Sequence, residues 1–163
     1  MVGIRSVEAG DFTQIRAIAS TAFQLHRFWT DRGLERMDVE RYYNAEVEGF
    51  EGEISRDRDG FEIFVADEGE QILGYIVLRI DRYLSNAFKC NWGIIASFAL
   101  RSDSRGKGVG TLLLDRALRW FRDKGTDRID VLTDSENIAA IQCYEKQGFR
   151  TIYSSVTLTK KLR

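Results

Sequence analysis

The chain has 163 residues, a hydrophobic fraction of 44% and a net charge of −1, with one histidine and two cysteines. That length and apolar content suit a single globular domain spanning residues 1–163, and the balanced, dispersed charge leaves no electrostatic footprint for nucleic acid. No apolar stretch reaches the roughly 18–20 residues of a membrane span, the N-terminus lacks a secretory pattern, and Cys90 and Cys143 have neither metal-ligand nor redox spacing, so a cytoplasmic protein without nucleic-acid, membrane or metal partners is expected.

In chain order, Val2 to Val7 reads as a strand and Asp11 to Phe23 as a helix with Asp11 near its cap. Asp38 to about Arg56 reads as a second helix. Between the two lies the sole histidine, His26, among Arg27, Phe28, Trp29, Asp31 and Arg32. Glu62 to Ala66 and Gln71 to Ile80 are two strands whose connection, Glu68, Gly69 and Glu70, has the length and glycine content of a hairpin. Trp92 to Leu100 has the length and the β-branched and aromatic content of a buried strand, and Val109 to Lys124 carries apolar residues at helical spacing. A strand at Arg128 to Thr133, a helix from about 136 to 147 and an extended segment around Ile152 to Thr159 follow. This order predicts an α/β fold with one mixed sheet, antiparallel early and parallel late, flanked by helices.

Between the apolar strand and the helix at Val109 lies the most informative stretch, Arg105, Gly106, Lys107, Gly108, Val109, Gly110 and Thr111. Glycines admit positive φ and let backbone approach a ligand closely, and the first N–H groups of a helix have no intrahelical partner, so strand, glycine loop and helix make a seat for a phosphate group. The spacing is not that of a Walker loop, because Lys107 lies between glycines and Thr111 follows Gly110 directly. A dinucleotide fingerprint would need glycine at 111, although Asp130 stands at a suitable distance for a ribose contact. Further on, Asn137, Ala140, Ile141 and Tyr144 fall at i, i+3, i+4 and i+7 and share one helix face; Thr133, Asp134 and Ser135 supply start signals and Gly148 suits the position after the last turn.

Arg105 to Gly110 resembles the pattern Arg or Gln, x, x, Gly, x, Gly or Ala with which the GNAT superfamily of N-acetyltransferases holds coenzyme A. Phe98 to Gly106 resembles that family's strand-to-loop segment without its common proline, and Asn137, Ala140, Tyr144, Glu145, Lys146, Gly148 and Phe149 resemble its second signature. The resemblance, with the element order, implies a single domain with a central sheet of about six to seven strands flanked by four helices. It implies acetyl-coenzyme A as co-substrate, bound by Ala99, Leu100, Arg105, Gly106, Lys107, Gly108, Val109, Gly110, Thr111 and Asn137, with the pantetheine arm pairing beside Leu100. Tyr144 is then the group that reaches the departing sulfur, and His26, Phe28 and Trp29 rim the pocket of a small-molecule or peptide amine. The protein would act as a monomer or homodimer.

Acetyl transfer needs a neutral amine, whereas an alkylammonium of pKa about 10.4 is almost wholly protonated at neutral pH. Between Asn91 and Leu100 only Asn91 and Ser97 are polar candidates, so no base is assigned; His26 is an alternative, and Asp81, at the end of a strand, and Asp103, in the phosphate loop, are weaker choices. That vacancy keeps open an acetyl-coenzyme A sensor without turnover, with a nicotinamide-dependent oxidoreductase as a third reading.

Overall fold

The computed structural model describes residues 1–23 and 36–162. Its elements are β1 (Gly3–Ser6), α1 (Phe12–Phe23), α2 (Arg36–Arg56), β2 (Phe61–Glu68), β3 (Gln71–Ile80), α3 (Arg82–Phe88), β4 (Trp92–Leu100), α4 (Val109–Asp123), β5 (Arg128–Val131) and α5 (Ile138–Glu145). The strands form one sheet in the order β1-β2-β3-β4-β5, antiparallel from β1 to β4 and parallel between β4 and β5.

The period-two alternation of the strands divides the apolar residues between two faces. Ile63, Val65, Tyr75, Val77 and Ala99 point to one face, where Ile15 and Ala19 of α1 and Val39, Tyr43 and Val47 of α2 cover them. Phe64, Ala66, Ile76, Leu78 and Ile95 point to the other, beneath Val109, Leu113, Leu114, Ala117 and Phe121 of α4 and Tyr144 of α5. Helix α4 is held on the sheet by that stripe, whose largest members are fully buried and contribute about 1.5–3 kcal/mol each by leaving water. Gln147 Nε2 donates to Asp115 Oδ1 at 2.7 Å and ties the turn after α5 to α4.

The expected mixed sheet is present, but among the described residues it has five strands, not six to seven, and five helices flank it, not four. The segment from Arg150 to Leu162 joins no strand, and every residue in it is exposed. Its β-branched content favours extension, yet it pairs with neither edge strand of the sheet, β1 or β5. The additional helix is α3: Asp81, expected to end a strand, instead accepts from the Leu84 N–H at 2.9 Å and starts a helix that Lys89 closes at φ 50°. Asp11 ends a short 3-10 turn ahead of α1 and accepts from the Glu8 N–H at 2.8 Å.

Gly93 shows how tightly β4 lies under α4, since a Cβ there would stand 2.6 Å from Cδ1 of the fully buried Phe121. Gly93→Ala is expected to cost about 1–3 kcal/mol through overpacking, measured as a lower urea midpoint at unchanged slope. An unchanged midpoint would mean that β4 and α4 pack more loosely than described.

Candidate active site

Two strands that run parallel and then part leave backbone without partners. Pairing between β4 and β5 ends at Ile95↔Val131, whereas β4 continues to Leu100. On its other side β4 stays paired with β3, through Tyr75↔Ala99 and Gly74↔Leu100, and the Arg101 N–H donates to the Leu73 carbonyl at 2.9 Å. Successive residues of a strand direct their backbone groups to opposite sides. With Arg101 and Ala99 turned towards β3, Phe98 and Leu100 direct N–H and C=O into the gap that β5 leaves.

The gap opens onto the glycine loop. Gly106 and Gly108 have φ of 73° and 80°, the left-handed region that glycine occupies without strain. Gly108 is the N-cap of α4 and no side chain caps it; the first helical hydrogen bond runs from the Leu112 N–H to the Gly108 carbonyl at 3.1 Å. The N–H groups of Val109, Gly110 and Thr111 therefore face outward at the positive end of the helix dipole, where an anion is favoured. Arg105 and Lys107 are exposed beside them. Gly110 is buried, and a Cβ there would lie 3.3 Å from Leu100 Cδ1, 3.4 Å from Phe98 Cζ and 4.0 Å from Cys143 Sγ, so β4, α4 and α5 converge at this residue.

From α5, Tyr144 is buried with its ring 6.2 Å from Phe98 and 5.6 Å from Phe149. Burial pushes its phenol well above the ordinary value, so the hydroxyl keeps its proton at neutral pH. Asn137 shares the helix with it but serves as N-cap, Oδ1 accepting from the Ala140 N–H at 3.2 Å, so this side chain orders the turn. Ala99 has its side chain in the core under α1 and α2. His26, Phe28 and Trp29 lie outside the described residues. Asp81 caps α3 and Asp103 pairs with Arg101, so neither carboxylate is directed at the gap. No group of three or more potential metal ligands occurs among the described residues.

On the sheet face covered by α1 and α2, Ser97, one of the two polar candidates of β4, is hydrogen-bonded beside the gap. Ala96 bulges out of the β3–β4 register at the point where β5 departs. Next to it, the buried Ser97 shares a 3.1 Å hydrogen bond with the hydroxyl of Tyr75, which is fully buried. Burial pushes the Tyr75 phenol up and the negative charge of Glu46, from α2, adds to that rise. Glu46 itself is desolvated and pushed up to about 7. On the same helix, Tyr43 stacks on Phe23 at 5.0 Å and meets Tyr42 edge-on at 5.1 Å. The sequence does carry a signal: Val39, Tyr43, Val47, Phe50 and Ile54 form the apolar stripe of α2, and Glu46 falls within that stripe.

Comparison with known proteins gives a consistent picture. A family model described as the acetyltransferase (GNAT) family matches residues 15–149. An uncharacterized N-acetyltransferase of Methanocaldococcus jannaschii is 23% identical over 157 residues, covering 85% of this chain and 68% of that protein. A mycothiol acetyltransferase of Rhodococcus jostii is 23% identical over 160 residues, and the match spans 96% of this chain but only 47% of the relative. Among solved structures, the PaiA N-acetyltransferase of Thermoplasma acidophilum, in complex with coenzyme A, superposes with a TM-score of 0.76 at 17% identity, covering 95% of this chain and 93% of that one.

The raised carboxyl of Glu46 makes a stability prediction. Its folded value of about 7 exceeds the reference of 4.5, so its neutral form favours folding fully below about pH 4.5, and that contribution is lost as pH rises through about 7. Glu46→Gln is neutral at every pH. Thermal unfolding should show variant and wild type close together near pH 4 and the variant more stable near pH 8, the difference growing between; a difference independent of pH would place Glu46 in water.

Proposed function

The chain belongs to the acetyltransferase (GNAT) family, and we propose that it transfers the acetyl group of acetyl-coenzyme A to a primary amine by direct attack within a ternary complex. The observation that carries this reading is the meeting of two sets of unpaired backbone groups, those of Phe98 and Leu100 in the gap and those of Val109 to Thr111 at the uncapped start of α4. A pantetheine arm carries amides that can pair with the first set as an added strand, and a pyrophosphate is the anion that suits the second. Arg105 and Lys107 add charge at the phosphates, each worth about 0.3–1 kcal/mol at an exposed helix end. A cofactor seated in this way would run along the open side of β4 towards Tyr144.

The amine nitrogen attacks the thioester carbonyl carbon, and an N–H of the open β4 edge steadies the oxyanion. As the tetrahedral intermediate collapses, the C–S bond breaks and the thiolate takes a proton from the Tyr144 hydroxyl. An ordinary thiol has a pKa near 8.5, so this proton donation assists departure without being indispensable. The acceptor class is a primary amine on a small molecule or peptide. His26, Phe28 and Trp29, which stand between α1 and α2 in the sequence, are the residues proposed to rim its pocket.

At about 100 times its dissociation constant, acetyl-coenzyme A should stabilise the protein by ~2.7 kcal/mol, and NAD by nothing. Gly108→Val puts a branched side chain at φ 80° against the phosphate seat. It should abolish the ligand-induced rise in melting temperature while leaving the free protein folded; an equal rise with NAD would point to a dinucleotide site. For Tyr144→Phe, single-turnover chemistry should slow roughly 10²-fold with cofactor affinity within a few-fold. Unchanged chemistry would remove the hydroxyl from the reaction.

A further inference from the structure

We propose that this protein pairs with a second copy of itself through residues 150–162: the segment of each copy lies along the open edge of β5 in the other, extending both sheets and closing a two-fold dimer.

The segment has the pattern of a strand that its own molecule does not use. It leaves the turn after α5 at Phe149, whose half-buried ring lies 5.6 Å from that of Tyr144, and from Arg150 onward every described residue is exposed. Ile152, Val156 and Leu158 alternate with Thr151, Tyr153, Ser155, Thr157 and Thr159, so an extended conformation gathers the aliphatic groups on one face and the hydroxyls on the other. In the single chain that aliphatic face stands in water, with Val156 85% and Leu158 90% exposed. An apolar stripe of this kind marks an interaction surface.

The sheet has two open edges, β1 and β5, and charge selects between them. Residues 150–162 carry Arg150, Lys160 and Lys161 and no carboxylate. At β1 the charges are matched within the chain: Arg5 pairs with Asp11 and Asp67, and the N-terminal amine pairs with Glu68. Residues 127–136, which contain β5, hold Asp127, Asp130, Asp134 and Glu136 against a single cation, Arg128. The same edge offers an apolar counterpart. Ile129 and Val131 of β5 point to the α4–α5 face and are only half-buried, since no strand lies beyond them. The aliphatic face of an added strand continues that layer, and its backbone pairs with the N–H and C=O groups that β5 leaves open.

One chain therefore carries both halves of the contact, and two copies supply each half twice. An exchange of this type is isologous and closed, so it stops at a dimer instead of growing into a filament. Residues 150–162 and 127–136 together fall within the roughly 20–30 residues a side that a stable interface engages.

The test uses the 163-residue chain and two variants. Light scattering at rising concentration should give a mass that moves from that of one chain to that of two and stops there. Amide hydrogen exchange should show residues 152–158 unprotected in dilute protein and protected in step with dimer formation. Val156→Lys combined with Leu158→Lys places charge on the aliphatic face and should weaken association roughly tenfold or more. The melting temperature of the dilute protein should not change, because the segment belongs to neither core layer of the single chain. Asp130→Lys alters the receiving edge instead and should weaken association several-fold, most at low salt. A mass of one chain at every concentration, a mass that grows past two chains, or a dimer that either variant leaves undiminished would overturn the proposal. So would protection of residues 152–158 in the dilute monomer, which would put the segment on its own β5. None of these outcomes bears on acetyl transfer.

Discussion

The structure depends on one incomplete pairing. A buried strand must satisfy its N–H and C=O groups on both sides, and β4 does so only as far as Ile95, where β5 turns away. Beyond the bulge at Ala96, β3 still holds one side of β4, so the strand stays fixed while its other side offers N–H and C=O groups. A ligand entering the gap finds donors and acceptors held rigid by a partner strand and by two hydrophobic layers. Binding there costs little ordering of the protein.

Other features of the site follow from that gap. The apolar stripe of α4 sets the helix across one face of the sheet, and the lack of a side chain at Gly110 lets its first turn come close to Leu100 and Phe98. The anion seat and the open strand edge thereby become one continuous surface. α5 closes the same face with Tyr144, whose burial holds its proton. On the opposite face α2 packs in the same core layer as Tyr75, whose hydroxyl shares a hydrogen bond with Ser97 beside the bulge in β4.

What is legible in the sequence is what local chemistry determines. Gly106 and Gly108 are required by positive φ, and as letters alone they mark the loop. The bounds of β4 and the start of α4 are readable because periodicity changes from 2 to 3.6 across that loop. Tyr144 stands out through spacing on one helix face, whereas the capping role of Asn137 at the same helix depends on where the helix starts. α3 escapes a periodicity reading because seven residues show too little of it, although Asp81 as N-cap is a signal. The composition of residues 152–159 favours extension, but membership of a sheet is decided by whether an edge accepts the segment. Glu46 is invisible to any search of β4 for polar residues, since its environment is made by packing α2 against strands distant in sequence. The charge inside an apolar stripe is the available clue.

The central claim is that ligand completes the unpaired side of β4, and residue-resolved amide hydrogen exchange with and without coenzyme A tests it most directly. The N–H groups of Phe98 and Leu100 should exchange readily in the free protein and become protected in the complex together with those of Val109 to Thr111, while Ala99, already turned towards β3, changes little. Coenzyme A binding that leaves Phe98 and Leu100 unprotected, or that protects Ala99 in their place, would contradict the account.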